Sequence, residues 1–219
     1  MTPDAAAPQP RTFAKMIDLY TAATMNGRRA ALALAECGLA HRLHRLDLRK
    51  EDQRKPDFVR INPRGTIPVI VDDAGPGTRP IILTQSAAIL LYCAEKSGKL
   101  IPDDPQRRIE ALEWLMQAVT DTGPASSALF QLSLAPEKSA ANASHFEQRF
   151  LKNCANVDKH LEGRAYLAGE FSIADVALYP VIAVRSALID GTTGLANLKA
   201  WERRVAAREQ TANAMAANG

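Results

Sequence analysis

Three polar segments of this sequence stand where a strand-like or helical run begins. Thr24 and Asn26 precede an Ala/Leu-rich helical run. Pro68 lies at the start of an apolar, strand-like run, and Ser86 begins a second helical run. A helix N-terminus presents free N–H groups and a partial positive charge, which suit an anion or a thiolate. A serine hydroxyl there adds a donor for a carboxylate. The segments therefore predict a site for an anionic or thiol-bearing ligand, if the fold brings them together.

Each of these features also has a simpler structural interpretation. Pro68 is either an ordinary proline at the start of a strand or part of a cis Ile67–Pro68 peptide bond that turns the backbone toward a ligand. Asn26 and Ser86 are residue types that commonly cap helices. Taken singly, each feature favours the simpler interpretation. Their order favours the ligand site, because these loops converge when the chain runs β-α-β-β-β-α.

The first half of the sequence has the pattern of an α+β unit. Short β-rich runs alternate with helical runs, and Gly38 and Gly98 stand where left-handed helix caps are expected. The segment from 72 to 79 has the Asp, Gly and Pro content of a hairpin loop. The predicted strands cover 16–20, 41–48, 67–71 and 80–83, and the predicted helices cover 28–37 and 86–97.

The second half has a different pattern, and we expect it to be all-helical. Pro102 and Pro105 bracket a linker, after which the sequence shows helical periodicity and no convincing strand. Helices are predicted at 107–122, about 146–161, 173–188 and 198–208. The expected organisation is a disordered lead-in at 1–15, an α+β domain at 16–98, a linker at 99–106 and a helical domain at 107–219, with both Ala-rich tails frayed.

Composition excludes several function classes. The 219 residues include 27 Lys or Arg and 24 Asp or Glu, and the net charge of +3 is too small and scattered for a nucleic-acid surface. Hydrophobic residues make up 47% of the chain, which is enough for a sizeable core. No apolar run approaches the ~20 residues of a membrane span, and the start lacks an apolar signal region. We expect neither a nucleic-acid nor a membrane partner.

The three cysteines, Cys37, Cys93 and Cys154, lie far apart in the sequence and show no metal-binding spacing. An odd number of unpaired cysteines indicates a reducing compartment, so we expect a cytoplasmic protein. Their helical, apolar surroundings predict small buried residues. The four histidines are dispersed. We therefore expect no metal site and no nucleophilic protein thiol.

The motifs in their order resemble the cytosolic glutathione S-transferases, from about residue 16 to residue 208. The Thr-x-Asn turn is most similar to the bacterial Nu class, related to the yeast nitrogen-regulator transferase-like proteins and associated with glutathione-dependent disulfide reduction. The resemblance implies a thioredoxin-like domain followed by a helical bundle, and a homodimer. The matching segments are Thr24-x-Asn26, Asn62-Pro63-Arg64-Gly65-Thr66-Ile67-Pro68, Gln85-Ser86-Ala87-Ala88-Ile89-Leu90 and Phe171-Ser172-Ile173-Ala174-Asp175.

The resemblance implies glutathione as the co-substrate and gives the motif residues roles around its sulfur. Thr24 and Asn26 would be the catalytic residues, donating hydrogen bonds to the glutathione thiolate. Ile67 would offer its backbone N–H and C=O to the cysteinyl part, presented by a cis Pro68. Gln53 matches a glutathione-contacting glutamine of the Nu class.

The γ-glutamyl end would bind at the second helical run. Ser86 and the helix N-terminus would hold its carboxylate, and the Gln85 amide oxygen would accept from its ammonium. Two positions depart from many bacterial relatives, which have Glu in place of Gln85 and Lys in place of Thr66. Arg64 is a candidate substitute for that lysine. Relatives also tend to place an arginine of the helical domain near the sulfur, and here both His145 and Arg149 are candidates.

The motif from Ser172 to Asp175 predicts a folding element. Ser172 as N-cap and Asp175 three residues later form a capping box, with Phe171 and Val176 placed as a hydrophobic staple. We assign it no catalytic role.

Two classes of function fit the sequence. The first is an enzyme that activates the glutathione thiol for reduction of a disulfide or peroxide, or for conjugation to a small hydrophobic electrophile. The second is a non-catalytic or weakly catalytic protein of the same fold that binds glutathione or hydrophobic ligands, or acts as a regulator. Thr24, Asn26, Pro68 and Ser86 together favour the enzyme.

Overall fold

The computed structural model describes residues 16–76 and 79–217, and the first half of this range forms a sheet flanked by helices. The predicted lead-in at 1–15 lies outside the described residues. The elements in chain order are β1 (Ile17–Thr21), α1 (Met25–Cys37), β2 (His41–Arg45), α2 (Pro56–Ile61), β3 (Val69–Asp72), β4 (Ile81–Thr84) and α3 (Ser86–Ser97).

The sheet topology brings the three polar segments to one end of the sheet. Its strand order is β2-β1-β3-β4, with β1 parallel to β2, β3 antiparallel to β1, and β4 antiparallel to β3. Tyr20 pairs with Val69, and Val69 pairs with Thr84. Consequently the residues after β1, before β3 and after β4 lie at the same sheet end, as the predicted α+β order requires.

Helix α1 lies against the end of β1 through a glycine. A Cβ atom added at Gly27 would overlap the Ala22 carbonyl oxygen and the Thr21 hydroxyl. A glycine therefore lets the first turn of the helix approach the strand closely. The rest of α1 is buried through its alanines and leucines, and Gly38 ends it in the left-handed conformation with φ 69°.

The connection between β2 and β3 differs from the prediction. Strand β2 ends at Arg45 and not at 48, because the Asp47 carboxylate accepts hydrogen bonds from the Arg49 and Lys50 N–H groups and caps a 3₁₀ turn. A second 3₁₀ turn follows, and Pro56 then begins the six-residue helix α2. The sequence analysis did not predict α2.

The second half of the described chain is helical, as predicted. No helix in the described ranges is long and apolar enough to cross a membrane. Helix α7 is buried almost throughout and forms the centre of this half. The helices are α4 (Pro105–Gln117), α5 (Gly123–Leu134), α6 (Ala140–His160), α7 (Ile173–Ala183), α8 (Ser186–Gly191), α9 (Ala196–Ala206) and α10 (Glu209–Ala217).

Two helices of this half were not predicted. The first is α5. A π-helical segment, Ala118–Thr122, joins α4 to α5, so the chain continues as helix beyond the expected end at 122. The second is α10. The prediction of a frayed C-terminal tail is wrong as far as Ala217, because α10 forms there and packs on α1. The Glu36 carboxylate accepts two hydrogen bonds from Arg208, at 2.7 and 3.0 Å, and one from the Thr211 hydroxyl at 2.7 Å.

The capping box at the start of α7 is confirmed and does more than cap the helix. The Asp175 carboxylate accepts from the Ser172 N–H at 3.0 Å, from the Leu167 N–H at 3.1 Å and from the Trp201 indole at 2.7 Å. Its burial raises the pKa of Asp175 to about 6, against the lowering effect of these hydrogen bonds. Asp175 thus joins α7, α9 and the segment before α7.

Candidate functional site

Thr24 occupies the N-cap of α1. Its backbone is extended, and its Oγ1 accepts a hydrogen bond from the Gly27 N–H at 3.1 Å. The simpler interpretation of Asn26 as the N-cap is therefore wrong, since Asn26 lies in the first helical turn. Because Thr24 Oγ1 acts as an acceptor within the cap, its hydroxyl proton is available to a ligand. The first turn of α1 contains no acidic residue, so its partial positive charge is retained.

Asn26 and Ser86 are joined by a buried arginine that the sequence analysis missed. The Arg29 Nη1 donates to Asn26 Oδ1 at 2.8 Å and to Ser86 Oγ at 2.8 Å. Its Nε donates to the Ala177 carbonyl of α7 at 3.0 Å. Arg29 thereby connects the two helix N-termini of the site to the helical half.

The Arg29 side chain is only 2% exposed and forms no ion pair with any carboxylate of the described residues. Its burial lowers the pKa of Arg29 to about 10, so it stays charged at neutral pH, and its Nη2 has no hydrogen-bond partner. One sequence signal could have revealed it, because Arg29 precedes the buried Leu32 and Ala33 by three and four residues. Residues three and four positions apart lie on the same face of a helix, so these spacings put the Arg29 charge on the buried face of α1.

The Ile67–Pro68 peptide bond is cis, as the resemblance implied. The turn before it is fixed by Asn62, which is 3% exposed. Asn62 Nδ2 donates to the Thr66 carbonyl at 2.7 Å and to the Thr66 hydroxyl at 3.2 Å, and the Gly65 N–H donates to the Asn62 carbonyl. Gly65 takes a left-handed φ of 59°. The Asn-Pro-x-Gly motif is thus the turn that presents Ile67 at the sheet end.

Gln53 lies against this turn, in the second 3₁₀ segment. A Cβ atom at Gly65 would stand 3.0 Å from the Gln53 carbonyl oxygen, which shows how closely the two segments approach. The Gln53 Oε1 is buried and has no hydrogen-bond partner. Such an acceptor is suited to a ligand N–H, because a buried oxygen left unpaired costs free energy.

Gln85 is the N-cap of α3 and has an unusual backbone for a non-glycine residue, with φ 69° and ψ 111°. Its side chain makes no capping hydrogen bond, so the amide is available to a ligand. Ser86 is the first residue of α3 and not its N-cap, which overturns its simpler interpretation. Backbone strain of this kind costs about 1–3 kcal/mol and is concentrated at functional sites.

Two cavities flank Asn26, between the first half and helix α5. One, of about 300 Å³, is lined by Thr24, Asn26, Phe130 and Arg185 among others. The other, of about 420 Å³, is lined by Asn26, Arg29, Gln131 and the π-helical region. Both cavities therefore combine apolar side chains with polar groups.

Arg185 is the helical-half arginine in the smaller cavity. It donates to the Ser126 hydroxyl at 3.1 Å and to the Ser126 carbonyl at 2.6 Å, and its burial lowers the pKa of Arg185. The sequence analysis did not single it out. The candidates His145 and Arg149 are exposed on α6, and neither is among the residues lining these cavities.

The three cysteines are buried, as predicted. Burial raises the thiol pKa of each, that of Cys154 to about 12, and those of Cys37 and Cys93 in the same direction. A raised pKa leaves the thiol protonated and unreactive at neutral pH. None of them lines the cavities beside Asn26.

A third concave region contains none of the predicted site residues. A groove of about 470 Å³ lies between α1, β2 and α10, and is lined mainly by alanine and leucine. Within 16–76 and 79–217, no group of three or more His, Cys, Asp or Glu is arranged to hold a metal ion.

Residues 26–96 match the family described as "Glutathione S-transferase, N-terminal domain". The chain is 35% identical over 203 residues to disulfide-bond oxidoreductase YfcG of Escherichia coli K12, an alignment that covers 91% of this chain and 94% of YfcG.

Solved structures of glutathione transferases have the same fold. One from Pseudomonas putida, with one glutathione disulfide bound per subunit, superposes with a TM-score of 0.86 and 29% identity, covering 96% of this chain and 95% of that one. One from Burkholderia graminis, with two glutathione molecules bound per subunit, has a TM-score of 0.85 and 28% identity, covering 94% and 90% of the two chains.

Proposed function

Because the chain belongs to the glutathione S-transferase family, we propose that it binds glutathione at the sheet end and uses the glutathione thiolate to reduce disulfides. The observation that carries this proposal is the hydrogen-bonded group of Asn26, Arg29 and Ser86, in which Asn26 also lines two cavities, one of them together with Thr24. Two helix N-termini and a buried guanidinium there favour an anionic ligand.

The γ-glutamyl and cysteinyl parts of glutathione have matching groups in the site. The γ-glutamyl carboxylate binds the Ser86 hydroxyl and the N-terminus of α3, and its ammonium donates to the Gln85 amide oxygen. The cysteinyl backbone pairs with Ile67. Gln53 Oε1, which is buried and unpaired, accepts from a glutathione N–H. These assignments follow the resemblance, and the free polar groups described above support them.

Thr24 and Asn26 stabilise the thiolate. The Thr24 hydroxyl proton is free to donate because its oxygen already serves the helix cap. Donors and the positive end of α1 favour the charged form of a sulfur and so lower its pKa below the ~8.5 of a free thiol. Neither residue removes the proton, which passes to solvent.

The reaction is a thiol–disulfide exchange in two steps. The glutathione thiolate attacks one sulfur of the substrate, the substrate S–S bond breaks, a mixed disulfide forms, and the other sulfur leaves as a thiolate that is protonated by water. A second glutathione thiolate then attacks the mixed disulfide. The products are glutathione disulfide and the second substrate thiol, and two glutathione molecules supply the two electrons.

The smaller cavity holds the second substrate. Phe130 and Val184 give it apolar walls, and Arg185 gives it a positive charge close to Thr24. We therefore expect disulfides with a carboxylate to be preferred over neutral ones of similar size. Arg185→Leu should reduce kcat/KM for a carboxylated disulfide about tenfold and change it little for a neutral disulfide.

Calorimetric titration with reduced and oxidised glutathione, followed by a coupled disulfide-reduction assay, tests the proposal. We expect saturable binding and turnover that requires glutathione. Binding without turnover on disulfides would favour the carrier or regulatory alternative. Lack of binding to either form would contradict the proposed function. Lys152→Glu, a charge change on the exposed side of α6, serves as the control that should leave both properties unchanged.

A further inference from the structure

The contacts of Arg29 define a role that neither the family match nor the motifs assign to it. We propose that Arg29 is a positioning residue: it holds the amide of Asn26 with its NH₂ group toward the sulfur, and holds the Ser86 hydroxyl as a donor toward the glutathione carboxylate. The inference rests on the proposed function, since it concerns the same site.

The orientation of Asn26 follows from the chemistry of its partner. An arginine guanidinium has only donors, so the Asn26 atom 2.8 Å from Arg29 Nη1 must be the carbonyl oxygen Oδ1. The Ser86 hydroxyl donates to the same oxygen at 3.3 Å. With Oδ1 directed to these groups, Nδ2 is directed away from them, and Asn26 lines both flanking cavities. A donor is the group that a thiolate requires.

The same guanidinium fixes the role of Ser86. Arg29 Nη1 donates to Ser86 Oγ at 2.8 Å, so this oxygen is used as an acceptor, and the hydroxyl proton is donated to Asn26 Oδ1 at 3.3 Å. A bound carboxylate can take over this proton, because a charged acceptor forms the stronger hydrogen bond. A carboxylate needs a donor at this point. Without Arg29, the hydroxyl could rotate and Asn26 could turn its oxygen toward the sulfur, where it would repel a thiolate.

The electrostatic state of Arg29 shows that the guanidinium is not there to neutralise a protein carboxylate. It is 2% exposed, it has no ion-pair partner within the described part of the chain, and its Nη2 is unpaired. A buried, uncompensated charge destabilises the unliganded protein. Bound glutathione, whose thiolate and carboxylate are both close to the partners of Arg29, supplies the negative charge. One residue thereby couples the two ends of the ligand.

The test compares Arg29→Met with Arg28→Met. Arg28 is the adjacent arginine of α1 and makes no hydrogen bond to Asn26 or Ser86 among the described contacts. The measurements are the Kd for reduced glutathione by calorimetry and the pKa of the bound thiol from the ultraviolet absorbance of the thiolate. Arg29→Met should raise Kd at least about tenfold and shift the thiol pKa toward that of free glutathione. Arg28→Met should titrate like the wild type.

A double-mutant cycle separates positioning from general damage to the fold. If Arg29 acts through Asn26, Asn26→Ala should shift the thiol pKa in the wild type and add little in the Arg29→Met background. Additive shifts would overturn the inference. Arg29→Lys keeps the positive charge but lacks the planar guanidinium that donates to both Asn26 and Ser86. If Arg29→Met does not fold, the same measurements are made on Arg29→Lys. Arg29→Lys should raise the Kd for glutathione and shift the pKa of the bound thiol less than Arg29→Met does.

The outcomes distinguish this inference from the proposed function. A wild type that binds glutathione with a lowered thiol pKa, together with folded Arg29 variants that behave identically, overturns the positioning role alone. A wild type that does not bind glutathione overturns the proposed function and this inference with it.

Discussion

The cysteines of the protein lie outside the site, whereas Thr24 and Asn26 lie within it, and this difference decides which sulfur reacts. All three cysteines are buried with raised thiol pKa values, whereas Thr24 and Asn26 line an open cavity. The account therefore gives the reactive sulfur to glutathione and the hydrogen bonds to the protein.

Replacing the three cysteines together should leave most disulfide-reductase activity intact. Cys37→Ala, Cys93→Ala and Cys154→Ala each remove a buried sulfur, so the triple variant should lose about 1–3 kcal/mol of stability through small cavities. Its kcat/KM at a temperature where it is folded should stay within about threefold of the wild type. A folded triple variant without activity would show instead that a protein thiol forms a mixed disulfide with the substrate.

At the scale of elements, the start of α1 positions the proposed catalytic residues Thr24 and Asn26, and its position depends on the contact between Gly27 and the end of β1. Gly27→Ala should displace this turn, since the overlapping atom is a backbone oxygen. We expect a loss of about 1–3 kcal/mol in the free energy of unfolding and weaker glutathione binding. Gly191→Ala is the control, because a Cβ there meets nothing within 4 Å. Equal stability of the two variants would contradict this packing argument.

The start of α7 gives a prediction about stability and pH. The folded pKa of Asp175, about 6, lies above its ordinary value of 3.8, so its ionisation opposes folding. The contribution of Asp175 to the free energy of unfolding is fully present below about pH 4 and falls as the pH rises through 6. The stability of the wild type relative to Asp175→Asn should therefore decrease by roughly 3 kcal/mol across that window and level off above it.

Denaturant unfolding of both proteins from pH 4 to pH 8 measures this difference. A stability difference that is constant with pH would contradict a buried Asp175 carboxyl with a raised pKa. Glutathione affinity should change little in Asp175→Asn, because the residue contacts Trp201, Leu167 and Ser172 and none of the site residues.

The elements were predictable where the signal is local. Helix α3 has its predicted bounds, 86–97, because Gly98 ends it in the left-handed conformation, and the capping box at Ser172 was predicted from four residues. Helix α10 was missed because its alanine-rich sequence resembles a frayed tail, and contacts with Glu36 hold it in place. Local sequence contains no information on such a distant partner.

The same distinction applies to the site. Thr24, Asn26 and Ser86 belong to short motifs, and the structure joins them as the order of the motifs predicted. Arg29 and Arg185 contribute through hydrogen bonds to residues 57 and 59 positions away, which no spacing rule contains. The helical spacing of Arg29 could indicate a buried charge, but the hydrogen-bond partners of both arginines required the three-dimensional structure.

At the scale of the whole molecule, the surfaces of α4 and α5 carry exposed apolar side chains. Ile109 and Met116, seven residues apart on α4, are 68% and 43% exposed, and Phe130 and Leu134 on α5 are 53% and 63% exposed. Large exposed apolar side chains are common at protein interfaces. They support the homodimer that the family resemblance implies.

Light scattering at micromolar concentration should give twice the mass of one chain. Met116→Glu introduces a charge on this surface and should shift the mass toward that of a monomer, because burying an unpaired carboxylate is costly. Lys152→Glu, the exposed change on α6, should leave the mass unchanged. A wild-type protein with the mass of one chain would contradict the homodimer.

The most direct test of the account is a pH titration of the bound glutathione thiol in the wild type and in Thr24→Ala and Asn26→Ala. We predict that the bound thiol ionises at least about one pH unit below free glutathione in the wild type, and that either substitution reduces this difference, Asn26→Ala the more. A bound thiol that titrates like free glutathione, or a lowered pKa that neither substitution changes, would contradict thiol activation by these two residues.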